Sequence, residues 1–144
     1  MREIKASGRR FCDRTSMDQR LSPRPTIYVV DDDEAVRRAL AFALDLDGFE
    51  VETFESGEAL LLRDPPSAPG CLVIDERLPG ISGFDTLRQL RARQVSLPAV
   101  FVTSHPKPAF REAAAREGTP IIEKPLEGAT LIWAIQRLLE SGAT

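Results

Sequence analysis

Acidic side chains close two apolar runs of this chain. Asp31, Asp32 and Asp33 follow Thr26-Ile27-Tyr28-Val29-Val30, and Asp75 follows Cys71-Leu72-Val73-Ile74. Thr103 closes a third apolar run, residues 99–102, and Glu123-Lys124-Pro125 follows a fourth, Ile121-Ile122. Carboxylates held close together repel, which raises at least one pKa unless a cation shares the site. A small hard divalent ion relieves that repulsion, and Mg2+, which takes oxygen ligands and keeps several waters, fits a partial cage of this kind. Each element alone is weak. An Asp after a strand is commonly a helix cap or a turn former, and Asp33, next to a helix start, is expected to be a cap. Thr103 alone divides between capping a turn and binding a ligand, and Lys124 alone reads as a solvated side chain. The adjacent acids Asp31 and Asp32 are costly without a cation, and it is the joint arrival of all these groups at one place that points to a site.

Such an arrival requires a particular fold. From Thr26 onward, short β-branched or apolar runs alternate with segments of helical period, the signature of a parallel sheet covered by helices. Strands are expected at residues 26–30, 50–54, 71–74, 99–102 and 121–122. The first helix should start near Glu34, place Val36, Leu40, Ala43 and Leu44 on one face, and stop at Gly48. A second, at residues 58–63, is cut short by Pro65, Pro66 and Pro69. Three more are expected at 84–93, at 108–117 with Phe110, Ala113 and Ala114 inward, and at 127–141. In the last, Ile132, Ile135 and Leu139 make the buried stripe and Trp133 points elsewhere. Open α/β sheets bind ligands outside the carboxyl ends of their strands, where the acids, Thr103 and Lys124 all fall.

Composition bounds the rest. With 144 residues, 42% hydrophobic and 28% charged, the chain can bury one core but not two. No apolar run approaches the roughly 18 residues of a membrane helix, and the first 25 residues lack the apolar middle of a secretory signal. A cytoplasmic location is expected. Cys12 and Cys71 fit neither a disulfide framework nor a zinc site. The net charge of −3 hides an asymmetry: residues 1–25 carry seven Lys or Arg against three Asp or Glu, so the remainder is acidic. An acidic body argues against direct contact with nucleic acid, which wants a basic face. Residues 1–24 read as a basic, disordered leader, within which Met17 offers an alternative start.

Val29-Val30-Asp31-Asp32-Asp33-Glu34, Leu72-Val73-Ile74-Asp75-Glu76-Arg77-Leu78-Pro79-Gly80-Ile81-Ser82-Gly83, Val102-Thr103-Ser104 and Glu123-Lys124-Pro125 together resemble the receiver domain of two-component response regulators. The order matches, as do the separations of 43, 28 and 21 residues between Asp32, Asp75, Thr103 and Lys124. Arg77, two residues after Asp75, and His105, two after Thr103, are similar to the FixJ-type members of this CheY-like family. The resemblance spans residues 25–141. It implies a flavodoxin-like, doubly wound five-stranded parallel sheet of order 2-1-3-4-5 with five helices. It also implies that Asp75 accepts a phosphoryl group from a sensor histidine kinase. Mg2+ would be held by Asp31, Asp32, Asp75 and the backbone carbonyl of Arg77. Lys124 would neutralise phosphoryl charge, and Thr103 would hydrogen-bond a phosphoryl oxygen. Such a domain is a signalling switch rather than an enzyme, catalysing only its own phosphoryl transfer and slow dephosphorylation. Its downstream partner would be a protein bound through the fourth helix, fifth strand and fifth helix, and a second copy of the chain, as a homodimer, is a further candidate partner. Neither nucleic acid nor membrane is expected as a direct partner, and no output domain is expected after residue 141.

One departure stands out. Three residues before the Lys the family places a Phe or Tyr that changes rotamer when the Thr moves, and this chain has Ile121. A phosphorylation-independent interaction module is therefore a rival reading, against which intact Asp32, Asp75, Thr103 and Lys124 count. A phosphatase with an aspartate nucleophile wants a second Asp two residues after the first, where Arg77 stands, and a nucleotide-binding domain wants a glycine-rich loop after the first strand. Arg77 divides between a gate over the site and a solvated side chain, and Trp133 between a partner contact and a ring lying along its own helix. His105 is a candidate to influence an attacking water.

Overall fold

A computed structural model describes residues 24–142, so Cys12 and the leader before Arg24 lie outside the described residues, while Arg24 itself donates to the Gly48 carbonyl at 2.9 Å. The elements run β1 (Thr26–Val30), α1 (Glu34–Leu46), β2 (Glu50–Phe54), α2 (Gly57–Leu62), β3 (Gly70–Asp75), α3 (Gly83–Ala92), β4 (Ala99–Thr103), α4 (Pro108–Arg116), β5 (Ile121–Glu123) and α5 (Gly128–Gly142). The strands form one parallel sheet of order β2-β1-β3-β4-β5, as expected.

Helices on both faces explain why the central strands read as unbroken apolar runs. Successive strand residues face opposite sides: Ile27, Val29, Val73, Val100 and Val102 pack with Leu40 and Leu44 of α1 and Leu131 and Ile135 of α5. Tyr28, Val30, Leu72, Ile74 and Phe101 pack on the other side with Leu60, Leu87, Leu90 and Ala114 of α2, α3 and α4. Phe110 meets Phe101 edge to face at 5.0 Å. Gly70 lets β1 and β3 approach, because a Cβ there would stand 2.6 Å from the Thr26 carbonyl oxygen.

Three strands run one residue further than their apolar stretches. Asp75 stays in the ladder opposite Val102, and Thr103 opposite Glu123. Backbone pairing is indifferent to a polar side chain, so the ladder carries the functional residues out to its own edge. In α5 the buried stripe is centred on Leu131 and Ile135, with Ile132 and Leu139 only partly buried at its flanks. That differs from the expected 132/135/139 stripe, since the i, i+4 pair nearest the sheet is 131/135. Trp133 does point away, 60% exposed, with the Arg137 guanidinium 5.1 Å from its ring centroid. No helix among the described residues is long and apolar enough to cross a membrane.

Asp33 caps α1, its Oδ1 accepting from the Ala35 amide at 2.9 Å and the Val36 amide at 3.4 Å. At the other end Gly48 takes φ +95°, a left-handed conformation that glycine adopts without penalty. Asp33→Ala should therefore lower the free energy of unfolding by about 1 kcal/mol, measured by urea titration, while leaving the acidic cluster intact.

Candidate functional site

The end of β1 turns sharply. The Asp31 amide continues the ladder to the Phe54 carbonyl at 3.1 Å. Asp31 Oδ1 then accepts from the Asp33 amide at 2.9 Å, the local turn that a short acidic side chain favours. This buries the Asp31 carboxylate and leaves Asp32 exposed at the tip. From β3 the buried Asp75 carboxylate comes alongside, with Oδ1 accepting from the Arg77 amide at 3.1 Å. One oxygen from each of Asp31, Asp32 and Asp75 lies within 4.8 Å of the others.

Lys124 enters from the end of β5, its amide donating to the Thr103 carbonyl at 2.9 Å, and its peptide bond to Pro125 is cis. The ammonium sits between two acids, 3.1 Å from Asp31 Oδ2 and 3.2 Å from Asp75 Oδ2. Thr103 closes β4, one strand over from Asp75, and its buried hydroxyl has no hydrogen-bond partner. Such an orphan costs about 1 to 3 kcal/mol, so its lack of a partner calls for an explanation.

Burial raises the pKa of Asp75, and the Asp31 charge adds to it; the Arg77 amide and Lys124 oppose the rise. For Lys124, burial works to lower the pKa, but the hydrogen bond to Asp31 and the charges of Asp75 and Asp31 outweigh it and the pKa is raised. Glu76 is also raised, mainly by burial. It lies outside the cluster: Oε1 accepts from the Phe84 amide at 2.9 Å and so fixes the start of α3. Burial pushes the Cys71 thiol up to about 12, leaving it a neutral core group.

The structure thus brings Asp31, Asp32, Asp75 and Lys124 together, places Thr103 at the same edge, and turns Asp33 away as a cap. The Arg77 side chain reaches across the edge, donating to the His105 carbonyl at 3.2 Å, and His105 takes φ +49°. Two contributors were not singled out in the sequence. Glu76 is the helix anchor just described, and Arg37 donates from Nη1 to the Asp31 carbonyl at 2.6 Å. The only sequence signal for Arg37 is its place in the first turn of the helix that follows the acidic run.

A doubly wound parallel sheet with buried acids, a lysine and a hydroxyl gathered at its carboxyl edge defines a flavodoxin-like domain. The response regulator receiver domain profile matches residues 27–136, and the chain belongs to that family. It is 40% identical over 116 residues to the transcriptional regulatory protein FixJ of Rhizobium meliloti, covering 80% of this chain and 57% of that protein. It is 35% identical over 115 residues to the response regulator protein TodT of Pseudomonas putida, covering 79% and 51%. The chain spans about half the length of these curated relatives. Among solved structures, the response regulator StyR superposes with TM-score 0.77 at 39% identity over 84% of this chain and 62% of that one. FixJ-N superposes with TM-score 0.74 at 38% identity over 83% and 96%. Receiver domains act in two-component signalling and are in general signalling modules rather than enzymes.

Proposed function

We propose that this domain is a phosphorylation-controlled switch whose acceptor is Asp75. The observation that carries the proposal is the Asp75 carboxylate, buried yet shared between Lys124 and a cluster of acids. The phosphodonor is a phosphohistidine of a sensor kinase. An Asp75 oxygen attacks phosphorus, the P–O bond forms as the P–N bond breaks, and the imidazole leaves. Catalysis of such a transfer is mostly positioning and electrostatics. Lys124, already beside Asp75, neutralises charge on the incoming group, and the Thr103 hydroxyl gains a phosphoryl oxygen as the acceptor it lacks.

The donor set suits Mg2+: three carboxylates, all hard oxygen ligands, whose negative charge the single Lys124 ammonium does not balance. Asp31, Asp32 and Asp75 with the Arg77 backbone carbonyl would hold the ion, which supplies positive charge against the phosphoryl oxygens. The proposed domain is residues 25–141, preceded by a basic leader at 1–24. It signals to a downstream protein through the α4, β5 and α5 face, where Trp133 is exposed. Incubation of the whole chain with a small phosphodonor and Mg2+, read by intact mass, tests the proposal. One added phosphoryl is expected, and no adduct under any Mg2+ concentration would overturn it.

Relay to that face is expected to be weak. Phosphorylation adds about −1.5 to −2 charges, but a bistable element must convert the local shift into a larger one. Ile121 is half-buried against the Phe101 and Phe110 cluster and stiff at χ1, so it offers no second state. Amide exchange over residues 103–133 should change little on phosphorylation, and more in Ile121→Phe, approaching the usual coupling of about 1 to 3 kcal/mol. Equal, large changes in both proteins would place the relay elsewhere.

A further inference from the structure

Two neighbouring arginines open α1, and they behave differently. Arg38 makes the ordinary i, i+4 pair with Glu34 at 3.0 Å, both largely exposed. Arg37 turns back instead, and its Nη1 donates to the Asp31 carbonyl at 2.6 Å. The helix requires only its amide, which donates to the Asp33 carbonyl at 3.0 Å. Nothing in helix formation accounts for the guanidinium.

The geometry of the turn supplies the reason. Asp32 is the exposed member of the acidic cluster, and its place depends on the two peptides that flank it. The following peptide is held through the Asp33 amide, which donates to Asp31 Oδ1. The preceding one is the peptide whose oxygen Arg37 holds. We propose that Arg37 is a positioning residue: by fixing the Asp31–Asp32 peptide it orients the Asp32 carboxylate toward the divalent cation. The inference rests on the Mg2+ reading of the site. Groups one step removed from a metal commonly change its affinity by about 10- to 100-fold when removed.

The sign of the effect separates positioning from charge. A guanidinium beside a cation site repels the ion, so removing it by charge alone would tighten Mg2+ binding. Positioning predicts the reverse. Calorimetric titration of the full chain with MgCl2 should show Arg37→Met binding about tenfold more weakly than the parent, with Arg37→Lys, which keeps a donor on a long stem, recovering most of the loss. In the metal-free proteins, exchange of the Asp33 amide, which donates to Asp31 Oδ1, should quicken in Arg37→Met while the amides of β3 and β4 keep their protection. If Arg37→Met does not fold, Arg37→Gln, too short to reach the carbonyl, carries the same expectation. Unchanged or tighter Mg2+ binding in the folded variant would overturn the inference. Asp32→Asn is the control: if it weakens binding while Arg37→Met does not, Arg37 alone has been misread. If Asp32→Asn has no effect, the Mg2+ reading itself fails, and the inference with it.

Discussion

Replacing Asp75 with Asn is expected to abolish the phosphoryl adduct completely and, in the metal-free protein at neutral pH, to raise the melting temperature. The first effect follows from the loss of the nucleophile, since an amide does not attack phosphorus. The second follows from burial. The Asp75 pKa is raised in the fold, first by burial and then by the Asp31 charge. A carboxyl whose folded pKa lies above its unfolded value, about 3.9, stabilises the fold below that value and loses this contribution as pH rises through the folded pKa. At pH 7 the ionised group therefore works against folding, and a neutral isostere removes the penalty. The gain of Asp75→Asn should shrink in acid, where the parent's carboxyl is also neutral. Added Mg2+ should reverse the ranking, because saturating ligand at 100 times its Kd stabilises the parent by about 2.7 kcal/mol and the variant by less. Thermal melts at pH 4 and 7, with and without Mg2+, check this. A lower melting temperature for the metal-free variant at pH 7 would show that the Lys124 contact outweighs the repulsion.

The same balance marks how far residue types alone carry the fold and the site. Alternation of apolar runs with helical periods places all five strands, because a sheet covered on both faces leaves no other home for runs such as Cys71-Leu72-Val73-Ile74. The strand ends are less legible. Asp75, Thr103 and Glu123 continue the ladder, and polarity reads as its end although backbone pairing does not depend on it. In α5 several adjacent apolar residues fit more than one stripe, and only packing into the core that also holds Val73 and Val100 selects Leu131 and Ile135. At the site, acid spacing announces the cluster, and Asp33 declares itself a cap through its place before Glu34. Arg37 and Glu76 are silent in the sequence because their partners are backbone atoms. The Asp31 carbonyl and the Phe84 amide exist whatever the residue, so no pattern of side-chain types records the bonds.

Lys124→Met is expected to destabilise the metal-free protein by about 3 kcal/mol at pH 7, the lower end of the cost of stripping one partner from a buried ion pair. The lower end applies because the Lys124 side chain is 24% exposed, so water reaches the ammonium. Its partners are not so placed: the side chains of Asp31 and Asp75 are 3% and 5% exposed, and without the ammonium their charges face each other across the acidic cluster. Acid should relieve the defect, since protonating Asp75, whose pKa is raised in the fold, removes the repulsion and the loss of stability fades as pH falls. In the parent the lysine has its own signature in base. Its folded pKa is raised, so the stability it contributes is complete below its unfolded value of about 10.4 and is lost as pH rises through the folded one. Two further measurements identify the cause. Asp75→Asn added to Lys124→Met should recover most of the lost stability, a coupling that independent sites would not show. Mg2+ should also recover it, because a divalent cation satisfies the same carboxylates, yet phosphorylation of Lys124→Met should stay slow, since the charge that Lys124 brings to the phosphoryl group is still missing. A variant as stable as the parent at pH 7, with no change in acid, would mean that the two acids are solvated well enough to need no cation, and the electrostatic account of the site would fall with it.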